Sequence, residues 1–297
     1  MLGVALRAAS AARQVPVLQL VRRVPTSDRQ IGWDPAATRA ISTLDALEGL
    51  AAAVHLSGAS LAAHRWTPAY KRSLWVSRVE STRALAVALA GLRRPPNVLI
   101  VASATGIYGN RGDELLDERS HPGSGFLSDL CVEWEAAAQP AVDAGIRVVH
   151  TRFGVVLGQG SGALAKMLPL FRLGLGGRLG SGRQWMSWVS LPDAVAAILF
   201  AMDTSELAGA VNVTSPNPVT NAQFTQTLAR TVHRPALLPA PAFALRLALG
   251  EMADEALLAS ARVYPSRLIS SGFQFAHPTI AVALDGAVAS RSLVRES

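Results

Sequence analysis

The chain has 297 residues, of which 50% are hydrophobic and 16% are charged, a composition that can bury a large core and argues against disorder. Its single cysteine, Cys131, excludes an internal disulfide and a cysteine-based metal cluster. The six histidines show no ligand spacing, so we expect no bound metal. The apolar stretches are too short for a membrane span, and we expect a soluble, cytoplasmic protein.

The net charge of +7 comes almost entirely from arginines, which are scattered along the chain without a run of four. A basic surface of this kind suits nucleic acid or a phosphorylated small molecule. An arginine-rich composition without functional meaning explains the charge at least as well. Because the sequence shows neither an arginine cluster nor a stacking platform, nucleic-acid binding is the least favoured interpretation.

Strand-like and helix-like segments alternate from the first residues onward. The opening MLGVALRAAS predicts a helix, since Leu2, Ala5 and Leu6 share one face while Arg7 points elsewhere. Strands are predicted at 15–23, 50–60, 96–109 and 146–158, with helices at about 69–92 and 125–144. Strands separated by helices of this length predict an α/β fold with a parallel sheet.

The residues at the carboxyl ends of these strands are mostly small, glycine or arginine. The ligand of an open parallel sheet lies beyond those ends. Glycine lets the backbone approach a nucleotide closely, and arginine supplies a cation for phosphate. The four strand ends read Arg22-Arg23, Leu56-Ser57-Gly58, Ser103-Ala104-Thr105 and Phe153-Gly154-Val155. The sequence therefore indicates a nucleotide site at this edge of the sheet.

The composition changes from about residue 160. The segment GLGGRLGSGRQWMSWVS is crowded with glycines but lacks the GK[ST] of a phosphate-binding loop, so we expect a flexible loop beside the substrate. Arg183, Gln184 and Trp185 offer that loop polar and stacking contacts, although Trp185 and Trp188 suit a core equally well. We predict a first domain at 1–160, a smaller mixed subdomain at 161–285 and a tail at 286–297.

Several motifs, in order and at matching spacing, resemble those of one protein family. They include LVRR, VHLSGAS, SATGIYGNRGDELLDE, GFLSDLCVEWEAAA and ALGEMADEALLASARVYPSRLISSGFQF. From about residue 2 to residue 284, the chain is similar to atypical short-chain dehydrogenase/reductases of the epimerase family, which are sugar nucleotide epimerase-like proteins. The resemblance implies a Rossmann-type, doubly wound parallel sheet followed by a small C-terminal domain of unknown function.

Members of this family begin with a strand and a GxxGxxG turn, and only Gly3 matches that pattern here. The resemblance implies that Gly3 is the last glycine of the turn, where the first helix packs on the sheet. A glycine of no consequence is the alternative. We therefore expect the sequence to lack the family's first strand, through a start codon assigned too late or a truncation. That strand lies centrally in the order 3-2-1-4-5-6, so its loss would weaken cofactor binding.

The resemblance implies that the cofactor is NADP. Arg22 and Arg23 follow the family's second strand, where NAD-specific proteins carry an acidic residue, and two cations there suit the 2′-phosphate of NADP. Arginines that merely solvate a loop are the alternative. The resemblance also assigns cofactor contacts to Leu56, Ser57, Gly58, Arg78 and Val155. A position on the helix surface explains Arg78 equally well.

The catalytic residues of the resembled family are incomplete in this chain. Short-chain dehydrogenases pair a Ser or Thr hydroxyl with YxxxK, in which the tyrosine transfers a proton and the lysine lowers its pKa. Ser103 or Thr105 supplies such a hydroxyl, but the tyrosine and lysine positions hold Leu127 and Cys131. Tyr108 is a substitute acid in one interpretation, and in the other it packs beside the substrate pocket.

The leading hypothesis is an NADP-binding oxidoreductase or epimerase-like enzyme acting on an unidentified small-molecule substrate. The alternative is a catalytically silent NADP-binding sensor or scaffold, which the absence of YxxxK favours. The retained Ser103, the glycine-rich loop and the C-terminal subdomain favour the enzyme. Extended relatives often form homodimers through a pair of helices, but no apolar stripe in this sequence predicts one.

Overall fold

The computed structural model describes residues 1–37, 40–158, 160 and 162–289. The strands are β1 (Gln19–Val21), β2 (Gln30–Gly32), β3 (Ala52–His55), β4 (Val98–Ala104), β5 (Leu115–Leu116), β6 (Arg147–Phe153), β7 (Val155–Leu157), β8 (Trp185–Met186), β9 (Trp188–Ser190), β10 (Gly209–Val213), β11 (Val219–Thr220) and β12 (Arg262–Val263). The α-helices are α1 (Leu2–Ala12), α2 (Pro68–Trp75), α3 (Ser81–Ala90), α4 (Phe126–Ala136), α5 (Gln139–Asp143), α6 (Gly162–Arg172), α7 (Leu191–Asp203), α8 (Asn221–Thr231), α9 (Ala242–Leu249), α10 (Ser266–Ser270) and α11 (Ile280–Ala289). The predicted α/β fold with a parallel sheet is confirmed.

Four parallel strands form the central sheet, in the order β10-β6-β4-β3. Helices cover both faces of it. Arg147 and Arg152 of β6 are five residues apart and therefore point to opposite faces. Arg152 reaches Glu135 of α4, whereas Arg147 reaches the carbonyl of Ala201 in α7. A sheet covered on both faces needs continuous apolar strands, and β4, with the sequence VLIVASA, is buried along almost its whole length.

A separate two-stranded parallel sheet contains β1 and β2. Within the described ranges β1 pairs with β2 alone and β3 pairs with β4 alone, so one edge of each strand carries no partner strand. Leu20 of β1 and Val54 of β3 nevertheless pack against the same hydrophobic core. The expected order 3-2-1-4-5-6 places the family's first strand between these two strands.

The chain returns to the central sheet after residue 160. At Gly154 the backbone changes its pairing partner from β10 to β9. Gly154 N donates to Val213 O at the end of β10, and Val155 N donates to Ser187 O, directly before β9. A Cβ on Gly154 would lie 2.7 Å from Ser187 O, so this close crossing requires glycine. β10 then pairs with β6 in parallel. The segment 161–285, which we predicted to be a separate subdomain, therefore contributes α7 and β10 to the first domain. A boundary at residue 160 would separate these two elements from the sheet to which they belong.

The C-terminal part has a smaller core of its own, built from Leu164, Phe171, Trp188, Phe224, Leu228 and Leu284. α8 begins with a capping box, in which Thr220 and Gln223 each bond the backbone N–H of the other. Residues 286–289 of the predicted tail belong to α11, and residues 290–297 lie outside the described residues. No helix in the part of the chain that the structure describes is long and apolar enough to cross a membrane.

Two segments that were predicted as continuous α-helices are interrupted in the structure. The one at 69–92 contains a π-helical turn, Val76–Glu80, between α2 and α3. π-turns inside helices are frequent at functional sites. The one at 125–144 is divided into α4 and α5, and Pro140 in the first turn of α5 cannot continue the hydrogen bonds of α4.

Candidate functional site

The turn that follows β3 is held by the π-helical turn. Ser57 and Gly58 are exposed at the carboxyl end of β3, and Ala59 N donates to Ser77 Oγ at 3.0 Å. Arg78 Nη2 donates to Ala59 O at 2.9 Å. A Cβ on Gly58 would lie 3.3 Å from Arg78 Cζ, so the guanidinium lies directly against this turn. The structure thus brings together three of the residues predicted to bind the cofactor: Ser57, Gly58 and Arg78.

Arg78 is a buried cation that forms no ion pair with an acidic residue of the described chain. Its side chain is 9% exposed and lies over the ring of Trp134, with Cζ 5.2 Å from the centroid. Nη1 donates to Leu74 O at 3.3 Å, but the described residues supply no carboxylate. Burial lowers the pKa of the guanidinium. Because a desolvated cation needs a counter-charge, this arrangement fits an anionic ligand such as a dinucleotide, and the helix-surface interpretation of Arg78 is wrong.

Arg22 and Arg23 follow β1 directly and are exposed. Arg23 Nη1 donates to Thr26 Oγ1 at 3.2 Å. In the described chain Arg22 has no hydrogen-bond or ion-pair partner. Both guanidinium groups therefore keep donors free for a phosphate at the carboxyl end of β1.

The start of α1 lies beside the segment that follows β7. A Cβ on Gly158 would lie 2.9 Å from Met1 Sδ, which shows how closely the two approach. Val155 of β7, another predicted cofactor contact, is half-buried nearby in sequence. A Cβ on Gly3 would meet nothing within 4 Å, so close packing of α1 on the sheet does not explain this glycine in the structure. The cofactor-binding role of Gly3 stays a prediction.

Ser103 and Tyr108 belong to a buried polar network rather than to an open cleft. Ser103 Oγ donates to Glu135 Oε1 at 2.6 Å. The Tyr108 hydroxyl donates to Asn212 Oδ1 at 2.7 Å and accepts from Arg152 Nη1 at 3.0 Å. Both side chains are almost fully buried. Their hydroxyl groups already have protein partners, which favours a supporting role over direct contact with a substrate.

Arg152 and Glu135 form the centre of this network. Arg152 donates from Nε and Nη2 to the two oxygens of Glu135, each at 2.8 Å, in a bidentate pair. Burial alone would lower the pKa of Arg152, but the carboxylate of Glu135 outweighs it and the pKa is raised. Burial raises the pKa of Tyr108, against the opposing effect of Arg152. The tyrosine is therefore a hydrogen-bond donor at neutral pH.

Thr105, which follows β4 directly, is the second hydroxyl residue in this part of the chain. It is half-buried, and its Oγ1 has no hydrogen-bond partner in the ranges that the structure describes. The sequence left Ser103 and Thr105 open as alternatives. The geometry favours Thr105, because Ser103 is occupied by Glu135.

The two positions at which short-chain dehydrogenases carry the tyrosine and lysine of YxxxK are buried on α4. Leu127 and Cys131 both pack in the interior. Burial, followed by the charge of Glu135, raises the pKa of Cys131 to about 12, so its thiol is not a nucleophile at neutral pH. The interpretation of Cys131 as a small buried hydrophobe agrees with this environment.

The first turn of α4 is capped by Glu255, a residue that sequence reasoning missed. Its two carboxylate oxygens accept from Phe126 N at 2.9 Å and from Leu127 N at 2.8 Å. Gly125, with φ +104°, leaves room for this carboxylate. Glu255 lies 129 residues from Phe126, so no local spacing could have revealed the contact. The C-terminal part thus fixes the helix that carries YxxxK in short-chain dehydrogenases.

The glycine-rich loop is less available for ligands than predicted. Gln184 Nε2 donates to Leu179 O and Leu257 O, and Trp188 is fully buried in the smaller core. Trp185 is half-buried, with Arg262 Cζ 4.5 Å from its ring centroid. Arg183 remains exposed. Trp188 is therefore a core residue, whereas Arg183 keeps the polar side chain that the loop offers outward.

A parallel sheet with crossover helices, and with glycine, arginine and hydroxyl residues at its strand ends, is the architecture of the Rossmann-type α/β class. The model of the NAD dependent epimerase/dehydratase family matches residues 1–214, and a domain of unknown function, DUF1731, matches residues 240–287. The chain belongs to the NAD dependent epimerase/dehydratase family. The predicted resemblance to epimerase-family short-chain dehydrogenase/reductases is confirmed.

The similarity to known relatives extends over most of the chain. An epimerase family protein of Mycobacterium bovis is 48% identical over 290 residues, which cover 96% of this chain and 93% of that protein. An epimerase family protein of Bacillus subtilis is 39% identical over 242 residues, covering 81% and 79%. The crystal structure of the human epimerase family protein SDR39U1 (isoform 2) with NADPH has a TM-score of 0.89 and 33% identity, covering 97% of this chain and 95% of that one.

Proposed function

We propose that this chain binds NADP(H) and acts as an oxidoreductase or epimerase-like enzyme on a small substrate that is not identified. The observation that carries the proposal is Arg78, a buried guanidinium without a carboxylate, against the exposed turn after β3. The human relative that was crystallised with NADPH supports the same cofactor. A buried cation of this kind serves an anion supplied from outside the chain.

The proposed site includes every residue that the sequence predicts to contact the cofactor. Arg22 and Arg23 hold the 2′-phosphate, and Arg78 supplies positive charge beside the turn of Ser57 and Gly58, which lies along the adenosine. Gly3, Leu56 and Val155 complete the predicted contacts. The bound cofactor supplies hydride transfer at its nicotinamide ring.

Thr105, which follows β4 directly, offers its hydroxyl to the substrate. Ser103 and Tyr108 stay predictions as catalytic residues. In the structure their hydrogen bonds to Glu135 and Asn212 hold the end of β4 in position. Burial raises the pKa of Tyr108, so the hydroxyl keeps its proton at neutral pH and is a weaker acid than an exposed tyrosine.

Replacing both Arg22 and Arg23 with alanine is expected to weaken NADPH binding about a hundred-fold, because two charge-assisted hydrogen-bond partners of the 2′-phosphate are lost. NADH, which lacks that phosphate, is expected to bind almost unchanged. Titration of NADPH and NADH fluorescence measures both. Arg83→Ala, on an exposed part of α3, is the matched control. Equal affinity of the unmodified protein for NADPH and NADH contradicts the proposed role of the pair.

We also propose that a further strand lies between β1 and β3 and brings the rest of the glycine turn to the start of α1. The free edges of these two strands support it. Adding to the N-terminus the strand and GxxGxxG turn with which family members begin is expected to strengthen NADPH binding about ten-fold, since the diphosphate gains backbone N–H donors. An extension of the same residues in scrambled order is the control. If both extensions behave alike, no such strand completes the sheet.

The alternative function, a catalytically silent NADP-binding sensor or scaffold, draws support from the buried Leu127 and Cys131 at the YxxxK positions. Incubation with labelled NADPH and a panel of carbonyl compounds and nucleotide sugars separates the two. Transfer of label to any substrate identifies an enzyme. Binding of NADPH without transfer to any member of the panel favours the sensor. Homodimer formation and a cytoplasmic location also stay predictions, to be checked by sedimentation and by fractionation.

A further inference from the structure

One surface of the C-terminal part is formed by two loops and a helix. The loops 172–180 and 234–242 lie side by side: Leu238 N donates to Gly176 O, and Ala240 N donates to Arg178 O. α9 follows the second loop directly. We call residues 172–180 and 234–249 the apolar-basic surface.

This surface exposes large apolar side chains that nothing in the described structure covers. α9 has the sequence AFALRLAL, and none of its eight residues is buried. The side chains that are more than half exposed are Leu173, Leu237, Leu238, Phe243 and Leu247. Single exposed leucines are ordinary, but a concentration of them on adjoining segments marks a contact with something else.

The apolar-basic surface itself, residues 172–180 and 234–249, contains four arginines and no acidic residue. Segments 162–183 and 221–250 contain no acidic residue and seven basic ones, which are Lys166, Arg172, Arg178, Arg183, Arg230, Arg234 and Arg246. The neighbouring Asp254 is already paired with Arg246 at 2.9 Å. A symmetric contact between two copies would bring these like charges face to face, which disfavours a dimer through this surface. An anionic partner with an apolar layer matches both properties.

We propose that the apolar-basic surface docks on an anionic lipid bilayer. Phe243, Leu247 and the loop leucines enter the boundary between headgroups and acyl chains, while the arginines lie at the lipid phosphates. The docking is peripheral, since none of the described helices can span a membrane. One contact connects the surface with the loop after β3, because Arg65 Nη1 donates to Leu247 O at 3.1 Å. A second contact to the same loop comes from α6, where Lys166 Nζ donates to Ala62 O at 2.7 Å. Docking therefore brings the proposed cofactor site close to the membrane.

Sedimentation with vesicles tests this inference on the full chain. We expect binding to vesicles of phosphatidylcholine with phosphatidylglycerol, little binding to phosphatidylcholine alone, and a loss of binding as salt is raised. Phe243→Ser with Leu247→Ser is expected to weaken the partition at least about ten-fold, because the buried apolar area is lost. Arg178→Gln is expected to weaken it about five-fold.

Matched controls come from exposed residues elsewhere on the chain. Val24→Ser and Arg119→Gln remove an exposed apolar and an exposed basic side chain and are expected to leave vesicle binding unchanged. Unchanged circular dichroism and NADPH affinity show that each variant is folded and separate this inference from the proposed function. The inference is overturned if anionic vesicles do not bind, or if they bind the Phe243/Leu247 variant as well as the parent. It is also overturned if the variant instead abolishes self-association or binding to an acidic polypeptide.

Discussion

Arg152→Met is expected to lower the free energy of unfolding by about 3–5 kcal/mol, since it leaves the carboxylate of Glu135 buried without its partner. The bidentate pair, at 2.8 Å for both contacts, is the only ion pair in the described residues with both side chains less than 15% exposed. The change also removes the N–H group of Arg152 that donates to the Tyr108 hydroxyl. Urea denaturation at neutral pH, followed by circular dichroism, measures the loss.

Two further variants identify the cause of that loss. Arg246→Met breaks an exposed pair with Asp254 at 2.9 Å and is expected to cost less than about 1 kcal/mol. Arg152→Met combined with Glu135→Met removes both buried charges and is expected to recover a large part of the stability, which a double-mutant cycle quantifies. A cost below about 1 kcal/mol for Arg152→Met alone would show that water replaces the guanidinium and that the network is not closed.

The central strands can be predicted from the sequence because their physics is local. β4 is an almost continuous apolar run and β6 contains Val148, Val149 and Phe153, and both strands lie inside the predicted segments 96–109 and 146–158. β10 was not predicted. Its sequence, GAVNV, lies within a region rich in glycine and proline, and it is identified as a strand only by its pairing with β6. Tertiary pairing overrides weak local preference in such short strands.

The positions of the predicted cofactor residues were easier to locate from the sequence than the polar network around the strand ends. Turn residues such as Ser57 and Gly58 follow a strand directly, so the strand prediction locates them. The pair of Arg152 with Glu135 joins β6 to α4, and the cap of Glu255 on α4 joins distant parts of the chain. Such contacts depend on how elements pack, which periodicity along one segment does not encode.

The same distinction explains why Ser103 was a reasonable candidate from sequence. A serine at the end of a strand matches the position of the family's catalytic hydroxyl, but its side-chain direction is set by the pleat. In the structure it shares a face with Arg152 and is drawn to Glu135. The next hydroxyl, on Thr105, lies just beyond the strand and remains free.

Arg78→Met is expected to weaken NADPH binding about a hundred-fold while leaving the unfolding free energy of the cofactor-free protein unchanged or higher. Without cofactor, Arg78 is a desolvated cation that no carboxylate among the described residues pairs with, and burial has lowered its pKa, so its charge costs stability. With cofactor bound as proposed, the same charge lies beside an anion in a water-poor site, where a charged hydrogen bond is strongest. Fluorescence titration and urea denaturation on the same variant measure the two effects.

The opposite signs of these two effects distinguish a binding residue from a structural one. Arg78→Lys keeps the charge but loses the planar fork that reaches Ala59 O and Leu74 O, and it is expected to weaken binding about ten-fold. Arg83→Met, on the exposed side of α3, is expected to change neither quantity. If Arg78→Met keeps NADPH affinity but loses about 2 kcal/mol or more of stability, the guanidinium serves only to tie the turn after β3 to the π-helical turn, and the proposed contact of Arg78 with the cofactor is wrong.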